Sequence, residues 1–326
     1  MAMRAERPAM LPLSGPFPIS EADIGPLNAL FSTAFTERYR RDGLVGVRVP
    51  PLNPAIWRYA IGGAARGAML WRDGDGAIAA FNVAHASGTE GWMGPLAVRE
   101  DRQGTGQGKD VVRAGIGHLR AAGCRTIGLE TMPRTVDNIG FYSGLGFVPG
   151  YLTVTVAIEA AAAGPKPGIE MLSTHSPLAR EDVIAECAGL LAALAPGADY
   201  SREMRLTHEL ALGDTLLYRR GDVLAAFALC HAAPLVEGRS REELRVLKLV
   251  AADLDAFEAL LQPLASLARR SATGRVALRM QGEYGAAYAA AVRAGARVRW
   301  TDLRMTLQGF PQGATGRGIV LTNWEI

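Results

Sequence analysis

Two stretches of the chain share one hairpin pattern, and this repeat constrains the fold more than any other feature. Residues 70–81 read LWRDGDGAIAAF, and residues 217–227 read LYRRGDVLAAF with a shorter turn. His85 follows the first hairpin and His231 follows the second. A strand, a helix, a further strand and a further helix are expected after each hairpin, which is the order that an internal duplication predicts.

The composition between the two copies marks a boundary. Residues 159–168 are rich in Ala, Gly and Pro, which is typical of a linker. We therefore predict a flexible tail at residues 1–15, a first α/β domain at 16–158, a linker at 159–168 and a second α/β domain at 169–326. Within the first domain, residues 44–61 are irregular and rich in proline, which makes them a candidate substrate loop.

The overall composition excludes several classes of protein. Of the 326 residues, 49% are hydrophobic and 21% are charged, which is ordinary for a globular protein with two cores. The net charge of +3 is small and no block of Lys or Arg stands out, so we expect no nucleic-acid partner. No run approaches the roughly 18 apolar residues of a membrane helix, so we expect no membrane partner. The cysteines are far apart, which predicts neither disulfides nor a metal site and favours the cytoplasm.

A glycine-rich turn joins an apolar strand to a helix at residues 98–109. Gly104, Gly106 and Gly108 allow positive φ angles, so several N–H groups can converge on one anion at the positive end of the helix. The pattern is not a nucleotide P-loop, because Asp110 stands where Ser or Thr would hold Mg²⁺. The even spacing of the glycines also differs from the dinucleotide-binding fingerprint. The turn is therefore predicted to hold the phosphate of another kind of ligand.

A second segment, residues 138–147, reads NIGFYSGLGF. Asp137 or Asn138 can cap a short helix here, and Gly146 can take the left-handed conformation just after its end. Tyr142 then lies one turn before the end of the helix. Its phenol is expected to face the end of the neighbouring strand.

Together the two motifs resemble the GNAT superfamily of N-acetyltransferases. Gln103, Gly106 and Gly108 are similar to the pyrophosphate loop of that superfamily, and residues 138–147 are similar to its short helix ending in Tyr-x-x-x-Gly-Phe. The resemblance is specific over the first copy and weaker, although in the same order, over the second. It implies an α/β fold of two tandem GNAT-like domains, each a mixed, mostly antiparallel sheet flanked by helices.

The resemblance also implies how acetyl-CoA binds to the first domain. Backbone amides of the glycine-rich turn would hold the pyrophosphate, and the end of the preceding strand would pair with the pantetheine amides like an added strand. The residues expected at this site are Leu96, Ala97, Val98, Gln103, Gly104, Thr105, Gly106, Gln107, Gly108, Lys109, Asn138, Phe141 and Tyr142. Acetyl-CoA is the expected acyl donor, and no metal is expected.

Transfer of an acetyl group to an amine needs a group that takes a proton from the amine and a group that gives one to the departing thiolate. Glu130 and Tyr142 are similar to the base and the acid of the ribosomal-protein N-terminal acetyltransferases. We therefore expect Glu130 to be the base and Tyr142 to be the acid. Glu90 and His85 are the alternatives for the base.

The second copy is expected to have lost the phosphate site. Its strand passes from Val250 directly into residues 251–255, where Asp253 is a predicted helix cap whose carboxylate would repel a phosphate. Ala291 stands where the tyrosine would be. We therefore expect the first domain to be catalytic and the degenerate second domain to help select the substrate.

The sequence thus predicts an enzyme that transfers the acetyl group of acetyl-CoA to a primary amine by direct attack. Three alternatives stay open: a module that binds or senses acetyl-CoA without catalysis, an enzyme that transfers another acyl group, and transfer to a hydroxyl. The sequence leaves open which small-molecule or peptide amine is the acceptor, and it leaves the oligomeric state open.

Overall fold

The computed structural model describes residues 12–162, 164, 166–313, 316 and 318–324. Its helices are α1 (Ile24–Arg41), α2 (Pro54–Ala64), α3 (Gln107–Ala121), α4 (Val136–Ser143), α5 (Pro177–Leu194), α6 (Ser201–Glu209), α7 (Leu254–Arg270) and α8 (Gly285–Arg293). Its strands are β1 (Ser14–Pro18), β2 (Ala68–Arg72), β3 (Ile78–Ser87), β4 (Glu90–Val98), β5 (Thr126–Thr131), β6 (Phe147–Glu159), β7 (Ile169–Met171), β8 (Gly213–Arg220), β9 (Val223–His231), β10 (Glu243–Ala251), β11 (Arg275–Gln281), β12 (Arg297–Leu307) and β13 (Ile319–Thr322).

These strands join into one mixed, mostly antiparallel sheet. Along the sheet the order is β1-β2-β3-β4-β5-β12-β6-β11-β10-β9-β8-β7, and β13 pairs with β10 beside this path. The pairs β4–β5 and β10–β11 are parallel, whereas the others are antiparallel. The order reads as two copies of one arrangement, β1 to β5 and β7 to β11, which meet at β12 and β6. The α/β fold class expected from the sequence, with tandem units of mostly antiparallel sheet, is therefore confirmed.

The two halves of the chain exchange β6 and β12 at the centre of the sheet. β6, from the first half, pairs with β11 of the second half over residues 153–159. β12, from the second half, pairs with β5 of the first half over residues 303–306. The domain boundaries given above stay a prediction. The central strands β6 and β12 pair with strands on the other side of these boundaries. Side chains from both halves consequently lie side by side around β5.

Helices cover both faces of the sheet, and the alternation of side chains along each strand decides which face a helix covers. In the first half, α1 and α2 pack on Leu70 and Phe81, whereas α3 and α4 pack on Met69 and Ala80. The second half repeats this arrangement, with α5 and α6 on one face and α7 and α8 on the other. We name the face under α1, α2, α5 and α6 the front face. None of the described helices is long and apolar enough to cross a lipid bilayer.

The prediction of an irregular loop at residues 44–61 is wrong for the second half of this range, which belongs to α2. Asn53 caps this helix, because its side chain accepts a hydrogen bond from the Ala55 N–H at 3.0 Å. Pro54 fits the first helical position, where no N–H is needed. The proline that looked like a loop residue is therefore a helix start.

Other expected boundaries are also corrected. α4 begins after Thr135 and not at Asp137 or Asn138, and the Thr135 hydroxyl donates to Asp42 at 2.6 Å instead of capping the helix. β1 begins at Ser14, inside the expected tail, because its backbone pairs with β2. Residues 1–11 of that tail and residues 163 and 165 of the expected linker lie outside the described residues.

Candidate functional site

The glycine-rich turn presents backbone N–H groups at the start of α3. Gly104 and Gly106 have φ angles of +75° and +91°, which L-residues rarely adopt. Gly106 is the N-cap of α3, and no side chain caps this helix end. Apart from the helical ladder of α3, the described chain gives no hydrogen-bond partner to the N–H groups of residues 104–108. Oriented donors at the positive end of a helix are groups that can bind an anion, so this turn is a candidate anion site.

Gln103 braces the turn with its side chain. Its amide nitrogen donates to the Val98 carbonyl at 2.9 Å, and its oxygen accepts from Arg41 Nη1 at 3.1 Å. Arg41 also pairs with Glu100 at 2.7 Å, which ties the turn to the end of α1. The Thr105 hydroxyl is used inside the turn, where it donates to a backbone carbonyl at 2.7 Å. These side chains fix the shape of the turn, so the groups that it can offer to a ligand are backbone amides.

β4 and β5 separate beside the glycine-rich turn. They pair in parallel only as far as Met93 and Leu129. Beyond this point β4 continues along β3, whereas β5 continues along β12. We name the gap between the two diverging strand ends the first wedge. Residues 94–98 of β4 face it with a strand edge, to which an extended chain of amides can bind.

The second half contains a matching gap between β10 and β11, which we name the second wedge, and the chain itself fills it. These strands pair only over residues 243–245 and 275–277. Beyond them β13 lies against β10, where Ile319–Thr322 pairs with residues 248–251 in antiparallel fashion. The Gln281 side chain bonds to the backbone N–H and C=O of Thr322 at 3.1 and 2.9 Å. A wedge of this shape therefore accepts an extended segment and holds it with strand hydrogen bonds.

In the second half a carboxylate lies at the helix end that corresponds to the glycine-rich turn. Asp253 caps α7 by accepting from the Ala256 N–H at 2.9 Å, as expected from the sequence. Its other partner is Arg220, at 2.6 Å from Arg220 Nη1. The hydrogen bonds from Arg220 lower the pKa of Asp253 to about 2, so the carboxylate is charged at neutral pH. A phosphate at this helix end would be repelled by the charged carboxylate.

α4 lies against the start of α3, as its distance to the glycine-rich turn shows. A Cβ atom at Gly108 would lie 3.5 Å from the ring of Phe141. Asn138 is half-buried on the first turn of α4, and Lys109 is exposed on α3. The residues expected at the donor site are thus gathered around one end of the first wedge.

Tyr142 is buried below these residues. Its ring contacts Phe141 and Phe147 in edge-on geometry. Burial raises the pKa of the Tyr142 phenol to about 12. No described residue is a hydrogen-bond partner of its hydroxyl group. Tyr142 is therefore a protonated group at neutral pH, with its proton available to a ligand.

Glu130 is held in ion pairs at the front face. Its carboxylate accepts from Arg304 Nε at 2.8 Å, from Arg279 Nη2 at 2.6 Å and from the Thr153 hydroxyl at 2.6 Å. Burial opposes its ionisation, but the two arginines outweigh burial and lower the pKa of Glu130 to about 2. A carboxylate with this pKa and these partners is a poor proton acceptor at neutral pH. The surroundings of Glu130 argue against the role of base that was expected for it.

His85 lies next to the point where β4 leaves β5. It is half-buried on β3, and its ring interacts with the backbone of Gly94. Burial and the positive charge of Lys248 lower the pKa of His85 to about 4. Its imidazole is therefore uncharged at neutral pH and retains a lone pair. Glu90, the other alternative, lies farther back on β4 and accepts a hydrogen bond from the Tyr200 hydroxyl at 2.6 Å.

Several residues that contact Glu130 or Trp92 come from the second half and were missed by the sequence analysis; Arg304 and Trp324 lie at the first wedge, whereas Arg279 reaches Glu130 from β11, farther across the sheet. Arg279 and Arg304 pair with Glu130, and Trp324 stacks on Trp92 of β4 with ring centres 5.8 Å apart. A local pattern was visible in β11 and β12, where polar residues alternate with apolar ones. That pattern shows a polar face but not which strand lies beside it.

Two cavities lie elsewhere in the chain. One of about 560 Å³ is lined by α7, α8 and the end of β6, and one of about 360 Å³ by residues around Asp214 and Arg241. No residue expected at the donor or catalytic site lines either cavity. The candidate site is a gap between two diverging strands and lies outside both of these cavities.

Comparison with known proteins agrees with this geometry. Residues 31–147 match the model of the Acetyltransferase (GNAT) family. No protein of curated function matches the sequence significantly. The matched segment contains the glycine-rich turn, the first wedge and α4. The resemblance to the GNAT superfamily inferred from the motifs is therefore confirmed, and the match supports acyl transfer in general.

Solved structures share the fold over nearly the whole chain. A protein from Pyrococcus horikoshii that is assigned as an acetyltransferase has a TM-score of 0.66 at 15% identity, over 97% of this chain and 99% of that one. A tandem GNAT protein from the clavulanic acid biosynthesis pathway has a TM-score of 0.57 at 12% identity, over 90% and 97%. Saccharomyces cerevisiae N-myristoyltransferase with bound myristoyl-CoA has a TM-score of 0.62 at 9% identity, over 93% and 85%. At these identities the likeness shows the fold alone.

Proposed function

We propose that the chain is an acetyl-CoA-dependent N-acetyltransferase whose donor site is the first wedge together with the glycine-rich turn. The pair of wedges carries this proposal. The second wedge holds an extended segment of the chain itself, whereas no described strand pairs with the matching edge of the first wedge, which lies beside the candidate anion site. Coenzyme A joins a diphosphate to an extended arm of amides, so one ligand matches both features.

Two side chains at the first wedge have protonation states that suit transfer to an amine. Tyr142 keeps its proton at neutral pH and is the proposed donor to the departing thiolate. His85 is uncharged and is the proposed acceptor of the proton that the attacking amine loses. Glu130 is not the proposed base, because its carboxylate is already paired with Arg279 and Arg304. The thioester carbon is attacked directly, the carbon–sulfur bond breaks, and coenzyme A leaves as the thiol.

The packing at the narrow end of the first wedge favours a short acyl group. Trp92 is fully buried there, and Leu129 is 1% exposed. Because both side chains are closely packed, a short acyl group needs less rearrangement of the core here than a long one. Acetyl is therefore the proposed group. The proposed acceptor is a primary amine in the cytoplasm, a compartment that suits three buried and unpaired cysteines.

Calorimetry with coenzyme A tests the donor site, with two glycine variants of the same helix region. Gly106→Ala places an L-residue at a φ of +91°, a strain of about 1–3 kcal/mol that shifts the N–H groups. Its affinity for coenzyme A should fall by about tenfold or more. Gly117→Ala is the matched control, because it lies mid-helix in α3 with open space around its Cβ position.

The control variant should bind coenzyme A like the original protein and be slightly more stable, since alanine favours a helix interior by about 0.5–1 kcal/mol. If the original protein gives no binding heat, or if both variants bind equally well, the donor site is not at this turn. Thiol release from acetyl-CoA with a panel of primary amines then separates an enzyme from a module that only binds the donor.

A further inference from the structure

The narrow end of the first wedge is held by a stack that includes residues of both halves. Trp92, on β4, has Arg304 over one side of its ring system at 4.5 Å and Trp324 stacked on it with an interplanar angle of 14°. Trp324 in turn carries Lys248, whose Nζ lies 3.0 Å from its ring centre. The guanidinium of Arg304 stays charged when buried and is attracted to the face of the indole. The ring of Trp92 is therefore fixed in place.

The same stack reaches across β5. Trp92 pairs with Gly128, and a Cβ atom at Gly128 would lie 2.6 Å from the Trp92 ring. Only glycine at this position allows the ring to cross over β5 towards β12. The crossing lies one residue before Met93 and Leu129, the last pair before the strands separate.

Arg304 joins this crossing to the other strand of the wedge. Its Nε donates to Glu130 on β5 at 2.8 Å while its guanidinium lies on Trp92 of β4. Its remaining nitrogens donate to Gln312 at 3.2 Å and to Thr322, at 2.9 Å to the carbonyl and 2.6 Å to the hydroxyl. A planar guanidinium with fixed donors has one orientation here, and a lysine ammonium cannot reproduce it.

We propose that Arg304 is a positioning residue for the acyl-donor wedge, in which it ties Trp92 of β4 to Glu130 of β5 where the two strands separate. This inference rests on the proposed function. Arg304 touches neither the diphosphate turn nor Tyr142. It sets the spacing of the strands that grip the pantetheine arm, so the second half supports the donor site directly through its exchanged strand.

Arg279 provides the matched control for this role. It is as buried as Arg304 and pairs with the same carboxylate, at 2.6 Å, and with Asp302 at 3.0 Å. It lies on β11, two strands farther from β4 than Arg304. Arg279→Lys therefore perturbs the buried ion pairs without disturbing the tie between β4 and β5.

The test measures binding of two ligands by calorimetry. Acetyl-CoA uses both the turn and the wedge, whereas 3′-phospho-ADP is the nucleotide half and uses the turn alone. Arg304→Lys should weaken acetyl-CoA about tenfold and leave 3′-phospho-ADP within about twofold. Arg279→Lys should leave both ligands within about twofold of the original protein. If Arg304→Lys does not fold, Trp92→Leu replaces it, because this variant removes the other end of the tie and keeps Arg304.

The results distinguish failure of the proposed function from failure of the positioning role of Arg304. If the original protein binds neither ligand, the proposed function fails. If it binds both and Arg304→Lys binds acetyl-CoA unchanged, the proposed function stands and the positioning role is wrong. Equal losses for both ligands, or the same loss in Arg279→Lys, also overturn the positioning role, because they indicate a general effect on the fold.

Discussion

Replacing Glu130 by Gln separates the two roles that a carboxylate at the end of β5 can have. If Glu130 is a general base, the variant loses turnover and the stability of the protein changes little. If Glu130 is instead an ion-paired carboxylate, the variant leaves Arg279 and Arg304 buried without their shared counter-charge. The structure predicts the second result, because Glu130 makes both pairs within hydrogen-bond distance.

The size of the effect follows from the pKa of Glu130. It is about 2 in the folded protein against an ordinary 4.5, which corresponds to about 3 kcal/mol of stability at neutral pH. Loss of one partner from a buried pair costs about 3–5 kcal/mol, which agrees with this value. Because the folded pKa is lowered, the contribution is complete above the ordinary pKa and is lost as the pH falls towards the folded one.

Urea unfolding at pH 7 measures this free energy. With a slope of about 3 kcal/mol per molar urea, the midpoint of Glu130→Gln should fall by about 1 M. Glu181→Gln is the control, because Glu181 pairs with Arg205 at the surface with half of its side chain exposed; its midpoint should shift by less than about 0.3 M. If Glu130→Gln unfolds at the original midpoint and loses turnover, the ion-pair reasoning is refuted and Glu130 is the base.

Two further changes test the groups proposed to move protons. Tyr142→Phe should lower turnover by about a hundredfold or more and leave coenzyme A affinity nearly unchanged, because it removes a proton donor and keeps the ring; unchanged turnover, measured as thiol release, would contradict this role. His85 has a folded pKa of about 4 against an ordinary 6.5, so the unfolded state binds its proton first as the pH falls. Unfolding free energy should therefore drop by about 2 kcal/mol more between pH 7 and pH 5 in the original protein than in His85→Gln, and equal drops in urea titrations would show that His85 is not held uncharged.

The parts of the site that the sequence predicted are those encoded in one short segment. Gly104 and Gly106 adopt the positive φ angles expected from the glycine spacing, whereas Gly108 lies inside α3, so the shape of the turn was predictable in part and the anion site stays a prediction. The cap at Asp253 was predictable for the same reason, since a cap needs only its own helix. The helical start at Pro54 was not recognised, because proline also ends regular structure and only the Asn53 cap distinguishes the two cases.

The parts that the sequence did not predict depend on strand exchange. The letters around Glu130 are the same whether its carboxylate faces solvent or two arginines. Arg279 and Arg304 reach it only because β12 inserts beside β5 and β11 pairs with β6. The filling of the second wedge by β13 is equally non-local, since β13 follows β10 by more than the length of α7, β11, α8 and β12. Short-range patterns carry no information about such neighbours.

Strand exchange also changes what a truncation can show. Deletion of the second half would remove β12 from beside β5 and leave Glu130 without Arg279 and Arg304. Loss of activity in that fragment would report a damaged sheet, and it would say nothing about selection of the acceptor. In this fold the gap between β10 and β11 of the second half is filled by β13. Trp324, which follows β13, stacks on Trp92 at the first wedge. The second half is therefore a structural part of the proposed donor site, so its contribution has to be measured by single substitutions in the intact chain.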